Sequence, residues 1–416
     1  MDTRTYIENS SHRTMALEQG VAAPNYAPLP VVLARGRGEW LWDAERRRYL
    51  DFMSAYSAVS HGHAHPRLIA ALIEQAQAVA VTSRAYHSEK LGPFLAKLVA
   101  AADLAGPARA LPASGGAESV ETAIKAVRRW GYQHKGIAPD CAEIAVARGN
   151  FHGRSTTIVG FSTEPAYRAG FGPYAPGFRH FDFGDIASVE AAITPQTCAV
   201  LVEPIQGEAG IVVPPPGFLR GLRRLCDERG VLLVFDEIQS GLGRTGEMFA
   251  YMHEGIRPDG VIVGKALGGG LLPVSAFVAR AEVMDLLGPG SHGSTFGGNP
   301  LAARVALEAL QVIEDEQLVV RSRTLGAVLL GRLEALRSPL IRAVRGRGLW
   351  VGVEIDPALA SARRMVERMA TLGVLSKETH ETVIRFAPPL TIARESLDHG
   401  LAVFEQVVRE FSRRAA

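Results

Sequence analysis

The chain has 416 residues, of which 47% are hydrophobic and 21% are charged, and its formal net charge is +2. This composition is typical of a globular protein with a large core, and the length suggests two domains. The small net charge disfavours a nucleic-acid surface or a polybasic membrane patch, and no apolar run is long enough to span a bilayer. The first twenty residues lack an apolar signal core and contain acidic residues, so we expect a cytoplasmic location.

Cysteines and histidines give little support for a disulfide or a metal site. Cys141, Cys198 and Cys226 are widely spaced without a CxxC pair, which predicts three reduced, buried thiols. The segment His61–His65 has imidazoles at alternate positions before Pro66, as some zinc sites do. No carboxylate or cysteine follows at a useful spacing, and we therefore expect no metal.

The N-terminal part of the chain predicts an arm and a small sheet. Residues up to about Pro24 are polar and favour a flexible arm or a segment that wraps a neighbouring subunit. The proline-rich stretch Asn25–Leu33 favours extended structure, and Arg35–Asp43 alternates like part of a β-meander. Tyr26 is either a packing aromatic or part of a lid over a substrate.

Two glycine-rich turns precede predicted helices. Ser114–Glu118 would expose backbone N–H groups at the positive end of a helix dipole, which suits a phosphate, or it is simply a tight turn. Gly293–Pro300 offers the hydroxyl of Thr295 to an anion, or only caps the helix that follows. A third glycine-rich turn, Gly268–Gly270, leaves room beside a bulky ligand or forms an ordinary loop.

A loop with an aromatic and a basic residue follows the predicted strand Glu143–Ala147. In the loop Gly149–Arg154, Phe151 can stack on a flat ring and Arg154 can bind a carboxylate. A core aromatic and a surface arginine are the alternative.

Another predicted strand, Ala199–Val202, ends just before two carboxylates, Glu203 and Glu208. They are candidates for acid–base chemistry, for a solvated loop or for an arginine partner. Gly241–Gly246 matches GxGxxG, but four residues separate it from the preceding strand and no βαβ unit follows. We therefore reject a dinucleotide site there.

Two apolar runs predict strands that are buried on both faces of a parallel sheet. Val231–Phe235 ends at Asp236, and Asp259–Gly264 ends at Lys265. Ligands of open α/β sheets bind at the carboxyl ends of the strands, so a carboxylate and an amine would meet there. Pyridoxal phosphate needs this pair, a lysine for its aldehyde and a carboxylate for its ring nitrogen. Solvated caps or an ion pair are the alternative.

The C-terminal part of the chain predicts a separate α+β domain. Two consecutive amphipathic helices are expected, the second of which ends near Leu336. A single strand is expected over Ala343–Glu354. Another helix precedes a last strand that begins at Val383 and carries Arg385, either as a surface charge or as a carboxylate clamp.

Nine segments together resemble the class III pyridoxal-phosphate aminotransferases over nearly the whole chain, and within them the enzymes that act on ornithine. These are Asn25–Leu33, Ser54–Val59, Leu91–Pro93, Gly149–Arg154, Val202–Gly210, Asp236–Gln239, Gly264–Leu267, Gly293–Thr295 and Ile384–Pro389. The resemblance implies an aspartate aminotransferase-like α/β fold (fold type I) with a large domain that has a mainly parallel sheet. A smaller α+β domain would come from both ends of the chain, with boundaries at 1–60, 61–300 and 301–416.

The resemblance also implies the cofactor site. Lys265 would bind the aldehyde of pyridoxal 5'-phosphate covalently, Asp236 would pair with the ring nitrogen and Gln239 would bind the phenolic oxygen. Phe151 would stack on the ring. The phosphate would be held by the amides of Gly116 and Ala117 and by Thr295 of the partner subunit, which implies a homodimer with shared active sites.

The substrate groups follow from the same resemblance. Tyr26 and Arg154 would bind the α-carboxylate of ornithine, and Tyr56 would line the pocket. Glu208 would pair with Arg385 and then release it, so that Arg385 and Arg154 bind the two carboxylates of glutamate or 2-oxoglutarate. A buried arginine without such a partner would be costly.

The chain departs from the usual pattern of the family at several positions. Ser114 and Gly115 replace an Asn-Thr pair, and one side-chain contact to the phosphate is in doubt. His152 and Phe296 replace other aromatics, and Gly269 and Leu272 stand where serine and tyrosine are more familiar. These differences leave the chemistry of Lys265 intact but bear on which amino donor fits.

Two alternatives to an ornithine-specific enzyme remain from the sequence. One is another donor for the same cofactor, namely acetylornithine, 4-aminobutyrate, lysine or a diamine. Tyr26 favours ornithine because the acetylornithine enzymes lack this tyrosine as a rule. The other is a binding protein that has kept the fold and lost catalysis, but Lys265, Asp236, Arg154 and Arg385 are all present.

Overall fold

The computed structural model describes residues 11–415, with side chains to residue 413. Residues 1–10, which belong to the predicted N-terminal arm, and residue 416 lie outside the described part. The helices are α1 (Ser11–Val21), α2 (Ser54–Ser57), α3 (Pro66–Ala78), α4 (Leu91–Ala102), α5 (Gly116–His134), α6 (Thr156–Gly160), α7 (Pro165–Arg168), α8 (Ile186–Ala192), α9 (Phe218–Arg229), α10 (Ala281–Met284), α11 (Pro300–Asp315), α12 (Leu318–Glu334), α13 (Ala362–Thr371) and α14 (Arg394–Ala415).

A seven-stranded sheet forms the centre of the larger part of the molecule, in the order β4-β10-β9-β8-β7-β5-β6. Its strands are β4 (Ala108–Ala113), β5 (Glu143–Ala147), β6 (Phe178–Phe181), β7 (Thr197–Val202), β8 (Leu232–Asp236), β9 (Gly260–Val263) and β10 (Ser275–Arg280). The pairs from β6 through β5, β7 and β8 to β9 are parallel, and β10 is antiparallel to both of its neighbours. The mainly parallel sheet expected from the apolar runs is confirmed.

The central strands are apolar except at their ends, because both faces of the sheet are covered. In β8, Leu233 and Phe235 join one apolar cluster, whereas Leu232 and Val234 join another on the opposite face. Helix α5 contributes to the second cluster, and helices α4, α9 and α11 contribute to the first. The sheet therefore lies between two helical layers, and its loops are left to form a site at one edge.

Two smaller sheets complete the fold. The first has the order β1-β2-β3-β13, with β1 (Leu33–Arg37), β2 (Trp40–Asp43), β3 (Arg48–Asp51) and β13 (Val374–Leu375). The second has the order β11-β12-β15-β14, with β11 (Ile341–Gly346), β12 (Val351–Ile355), β14 (Lys377–Thr379) and β15 (Val383–Phe386). The meander is confirmed, and β13 joins it in parallel with β3, so both ends of the chain build this sheet.

The structure corrects one expectation for the C-terminal half. The single strand expected over Ala343–Glu354 is an antiparallel hairpin, because the chain turns where the N–H of Arg347 donates to the carbonyl of Trp350 over 3.0 Å. Helix α11 starts where a domain boundary is predicted and packs on α3 and α4. The division into domains stays a prediction.

The loop that matches GxGxxG has a structural role. It does not open a helix, and its Arg244 is fully buried without an ion pair among the described residues. The guanidinium donates to the carbonyls of Leu349 (2.9 Å) and Pro388 (2.6 Å) and to the hydroxyl of Ser60 (2.8 Å). These contacts tie the large domain to segments from both ends of the chain.

No helix in the described part of the chain is long and apolar enough to cross a membrane. The three cysteines are free thiols, and Cys198 and Cys226 are buried as expected. Cys141 is exposed, which corrects the expectation that all three are buried, because it lies in the turn that leads into β5.

Candidate active site

A cavity of about 230 Å³ lies at the carboxyl edge of the seven-stranded sheet. Because β5, β7, β8 and β9 are parallel, the loops after them meet at this edge and deliver polar side chains into one space. The cavity is lined by seven of the residues predicted from the sequence, which are Gly116, Ala117, Phe151, Glu208, Asp236, Gln239 and Lys265.

Lys265 begins the 3₁₀ turn Lys265–Gly268, one residue after β9, and its φ of 45° lies in the left-handed region. Removal from water lowers the pKa of Lys265, although the charges of Glu208 and Asp236 oppose this effect. A larger fraction of the amine is therefore neutral than for a lysine in water, and a neutral amine is the form that attacks a carbonyl.

Asp236, at the end of β8, is held by two contacts. Its Oδ2 lies 2.7 Å from Nδ1 of His152, and its Oδ1 accepts the N–H of Ile238 over 3.0 Å. Both side chains of the Asp–His pair are buried. Burial alone would lower the pKa of His152, but the hydrogen bond and charge of Asp236 outweigh it and raise this pKa. The pair therefore fixes the orientation of the Asp236 carboxylate at the cavity wall.

Helix α5 starts at the cavity wall. The carboxylate of Glu118 accepts the amides of Ser114 (3.1 Å) and Gly115 (2.6 Å). The amides of Gly116 and Ala117 belong to the first helical turn and have no earlier turn to which they can donate. They leave two N–H groups for an anion at the positive end of the helix, as the glycine-rich turn suggested.

Glu203 holds the loop that carries Phe151. Its carboxylate accepts the amides of Phe151 (3.0 Å) and Gly207 (3.2 Å). Burial raises the pKa of Glu203 to about 7. A solvated loop does not agree with this buried position, and Glu203 forms no ion pair with an arginine of the described residues.

The half-buried Glu208 forms an ion pair with the buried Arg385 of β15, with 2.7 Å between Oε1 and Nη1. Nε2 of Gln239 also donates to Oε1 of Glu208, over 3.3 Å. Burial alone would raise the pKa of Glu208, but the charge and hydrogen bond of Arg385 dominate and lower it. The guanidinium carbon of Arg385 also lies 5.0 Å from the ring centroid of Tyr56.

Tyr56 reaches this position through a strained turn. Four consecutive residues of α2, Ser54 to Ser57, have φ between 46° and 71°. A left-handed conformation costs a non-glycine residue about 1–2 kcal/mol, so four in a row store strain beside the cavity.

Five predicted substrate or cofactor residues do not line the cavity of the single chain. Two of them lie next to its wall, since Arg385 pairs with Glu208 and Tyr56 contacts Arg385. The other three are exposed. Arg154 is exposed, and its guanidinium carbon lies 3.6 Å from the ring centroid of Tyr167. Tyr26 is 79% exposed, and Thr295 is also exposed.

Sequence reasoning missed two residues of this region. His152 was noted only as a departure from the family pattern, yet it binds Asp236. Tyr167, on which Arg154 lies, was not considered. The position of His152 beside Phe151 at a strand end was a usable signal for the first, whereas Tyr167 had none.

The His61–His65 segment does not form a metal site with other described residues. His61 Nε2 lies 3.0 Å from the carbonyl of Ala309, and His63 Nε2 lies 2.7 Å from Asp51 Oδ2. His65 Nε2 lies 3.0 Å from Oε1 of Glu316. Each imidazole thus has its own partner, and the two carboxylates come from other segments of the chain.

This fold and this cavity define the chain as a member of the class III aminotransferases, whose family model matches residues 21–408. The chain is 52% identical over 392 residues to the ornithine aminotransferase of Bordetella pertussis, with 94% of each chain covered. A solved ornithine aminotransferase from Toxoplasma gondii superposes with a TM-score of 0.96 at 39% identity, covering 99% of this chain and 97% of that one. The acetylornithine aminotransferase from Elizabethkingia anophelis has a TM-score of 0.87 at 42% identity, covering 97% and 100%.

The cofactor of this family is pyridoxal 5'-phosphate, and the cavity fits it. A buried amine, a buried carboxylate and two helix-terminal amides face one space, and these suit the aldehyde, the ring nitrogen and the phosphate of this molecule. His152 Nε2 is a buried nitrogen without a hydrogen-bond partner in the described structure. The hydrogen bond between Nδ1 and Asp236 is therefore the one hydrogen bond of this imidazole within the described structure.

Proposed function

We propose that this chain transfers the δ-amino group of L-ornithine to 2-oxoglutarate and forms L-glutamate 5-semialdehyde and L-glutamate. The observation that carries the proposal is the ion pair between Glu208 and Arg385 at the cavity wall. Ornithine presents a cationic end to the pocket, whereas 2-oxoglutarate presents a second carboxylate. A paired arginine that can be released suits both substrates without leaving a buried charge alone.

The chemistry of the bound cofactor is to condense with amines and to take up an electron pair in its ring. Lys265 would hold the cofactor through its aldehyde, and its amine would move the proton at the reacting carbon of the substrate. Asp236, oriented by His152, would keep the ring nitrogen protonated. Gln239 would donate to the phenolic oxygen, and Phe151 would pack on the ring.

The two arginines share the substrate carboxylates. Arg154, with Tyr26, binds the α-carboxylate of ornithine, which directs the δ-amine towards Lys265. In the second half-reaction Glu208 turns away, Arg385 binds the α-carboxylate of 2-oxoglutarate and Arg154 binds the distal one. The ring of Tyr56, 5.0 Å from the guanidinium carbon of Arg385, would support this arginine when Glu208 turns away.

The donor is tested by single-turnover measurements on the holoenzyme. Ornithine should remove the long-wavelength absorbance of the lysine-bound cofactor, and 2-oxoglutarate should restore it while glutamate forms. N-acetylornithine, 4-aminobutyrate, lysine and 1,4-diaminobutane form the comparison panel. A response to acetylornithine with none to ornithine would favour the second candidate, which the likeness to the Elizabethkingia enzyme supports.

Gly207 controls the position of Gln239. A Cβ at Gly207 would lie 1.7 Å from Oε1 of Gln239 and 2.9 Å from the ring of Trp350. Because Trp350 is buried, Gln239 must move, and we expect Gly207→Ala to weaken pyridoxal phosphate binding about tenfold, as for one lost hydrogen bond. Titration of the apoenzyme measures this change.

Gly288→Ala is the matched control, since nothing lies within 4 Å of a Cβ at that position. Unchanged cofactor affinity in Gly207→Ala would contradict the role of Gln239.

We also propose that the active protein is a cytoplasmic homodimer with shared active sites. Large apolar side chains are exposed on the single chain, among them Tyr86 (73%) and Phe296 (57%), and Thr295 is exposed beside Phe296. Exposed apolar side chains of this size suit a subunit interface. Thr295 of the partner subunit then completes the phosphate site.

Light scattering during gel filtration should give a molecular mass twice that of one chain. The variant Phe296→Asp should have a mass closer to that of one chain. A fully active single chain would contradict shared sites.

A further inference from the structure

Arg154 and Arg385, the two proposed carboxylate-binding arginines, are held in different ways. Arg385 is paired with Glu208. No carboxylate of the described residues lies within 4.0 Å of Arg154, whose guanidinium carbon lies 3.6 Å from the ring centroid of Tyr167 and 5.5 Å from that of Phe151. The exposed arginine is therefore held by an aromatic face and not by an anion.

Tyr167 is well placed to fix this arrangement. It lies in the short helix α7, is half-buried, and meets Phe151 edge-to-face with 5.9 Å between ring centroids. Burial raises the pKa of Tyr167, and the charges of Arg154, Glu208 and Arg385 also act on it. The ring thus connects the wall of the cofactor cavity with Arg154.

A guanidinium that lies over an aromatic ring contacts the ring through the face of the guanidinium plane. The N–H donors of the guanidinium point outward within that plane. A carboxylate binds those donors at the edge, so both contacts form together. A glutamate partner such as Glu208 instead occupies the donors and must leave before a substrate binds.

We propose that Tyr167 is a positioning residue that holds Arg154 by its face and keeps its N–H edge available for a substrate carboxylate in both half-reactions. The inference rests on the proposed function of Arg154. It makes Arg154 the constant carboxylate site and Arg385 the switchable one. Substrates with a carboxylate at the end distant from the reacting carbon gain from this arrangement.

Calorimetric binding of glutarate, a dicarboxylate without an amine or a keto group, tests the inference on the holoenzyme. We expect Tyr167→Leu to weaken the binding of glutarate about tenfold, which corresponds to the loss of one partly desolvated cation–π contact. Tyr167→Phe keeps the ring face and should stay within about twofold of the wild type. Cofactor content should not change, because Tyr167 does not line the cavity.

Trp42→Leu is the matched control, because it removes another arginine–aromatic contact, Arg35 at 5.1 Å, on the small meander. Its glutarate affinity should equal that of the wild type.

Wild-type affinity in Tyr167→Leu would overturn the inference, and so would an equal loss in Tyr167→Phe or in Trp42→Leu. A wild-type protein that binds glutarate in a Tyr167-dependent way but does not respond to ornithine would refute the proposed function alone.

Discussion

Lys265→Ala should abolish turnover, with a loss of at least about 10⁴-fold, because one side chain both holds the aldehyde and moves the proton. The variant should still bind pyridoxal phosphate, more weakly, through the amides of Gly116 and Ala117 and through Asp236. Its cofactor should be removable by dialysis and should lack the absorbance of the lysine-bound form. Steady-state assays and absorption spectra measure these two effects separately.

Lys135→Ala provides a matched control. Burial lowers the pKa of Lys135 too, but its amine donates to the carbonyl of Thr197 over 2.7 Å, at the amino end of β7 and away from the cavity. Turnover should therefore stay close to that of the wild type. Normal activity of Lys265→Ala, or covalently bound cofactor in it, would refute the assignment of the lysine.

Asp236→Ala should lower kcat by about 10²–10³-fold, equivalent to about 3–4 kcal/mol for one preorganised electrostatic group. The substitution removes the charge that keeps the ring nitrogen protonated, and it leaves Nδ1 of His152 without its partner. Because a buried imidazolium without an anion is unfavourable, the pKa of His152 should fall in the variant. Kinetics and NMR titration of His152 follow the two changes.

Asp259 offers the comparison for this experiment. It is also a buried aspartate of the sheet, but it precedes β9 at the amino edge and pairs with Arg223 and Arg280, with 2.7 Å in each pair. Asp259→Asn should lower stability and leave kcat of the folded protein nearly unchanged. A loss of less than about fivefold in Asp236→Ala would contradict its role, since it falls far below the effect of such groups.

The position of the site was predictable from the sequence because it depends on sheet topology. Apolar runs that end at Asp236 and Lys265 already imply parallel strands with a common carboxyl edge, and the cavity contains both residues. The helix that starts at Gly116 followed from a glycine pair before an amphipathic segment. These features depend on local patterns, which a sequence contains directly.

Other features depend on contacts between distant segments and were not predictable in the same way. His152 lies on the loop after β5, whereas Asp236 is the last residue of β8, and β7 lies between these two strands. The sequence pattern predicts one strand where β11 and β12 form a hairpin, because the turn contains apolar Leu349 and Trp350, which are buried rather than solvated. The left-handed turn Ser54–Ser57 contains no glycine, so the conformational preferences of its residues do not predict it.

The pairing of β13 with β3 has a consequence for how the protein is made. Leu50 of β3 lies beside Val374 of β13 in that sheet. Strand β3 can pair with β2 early, but it lacks its second neighbour until nearly all of the chain has left the ribosome. The seven-stranded sheet draws only on the intervening stretch and can assemble earlier. Truncation near the C-terminus should therefore leave an intact central unit beside an open, aggregation-prone strand edge.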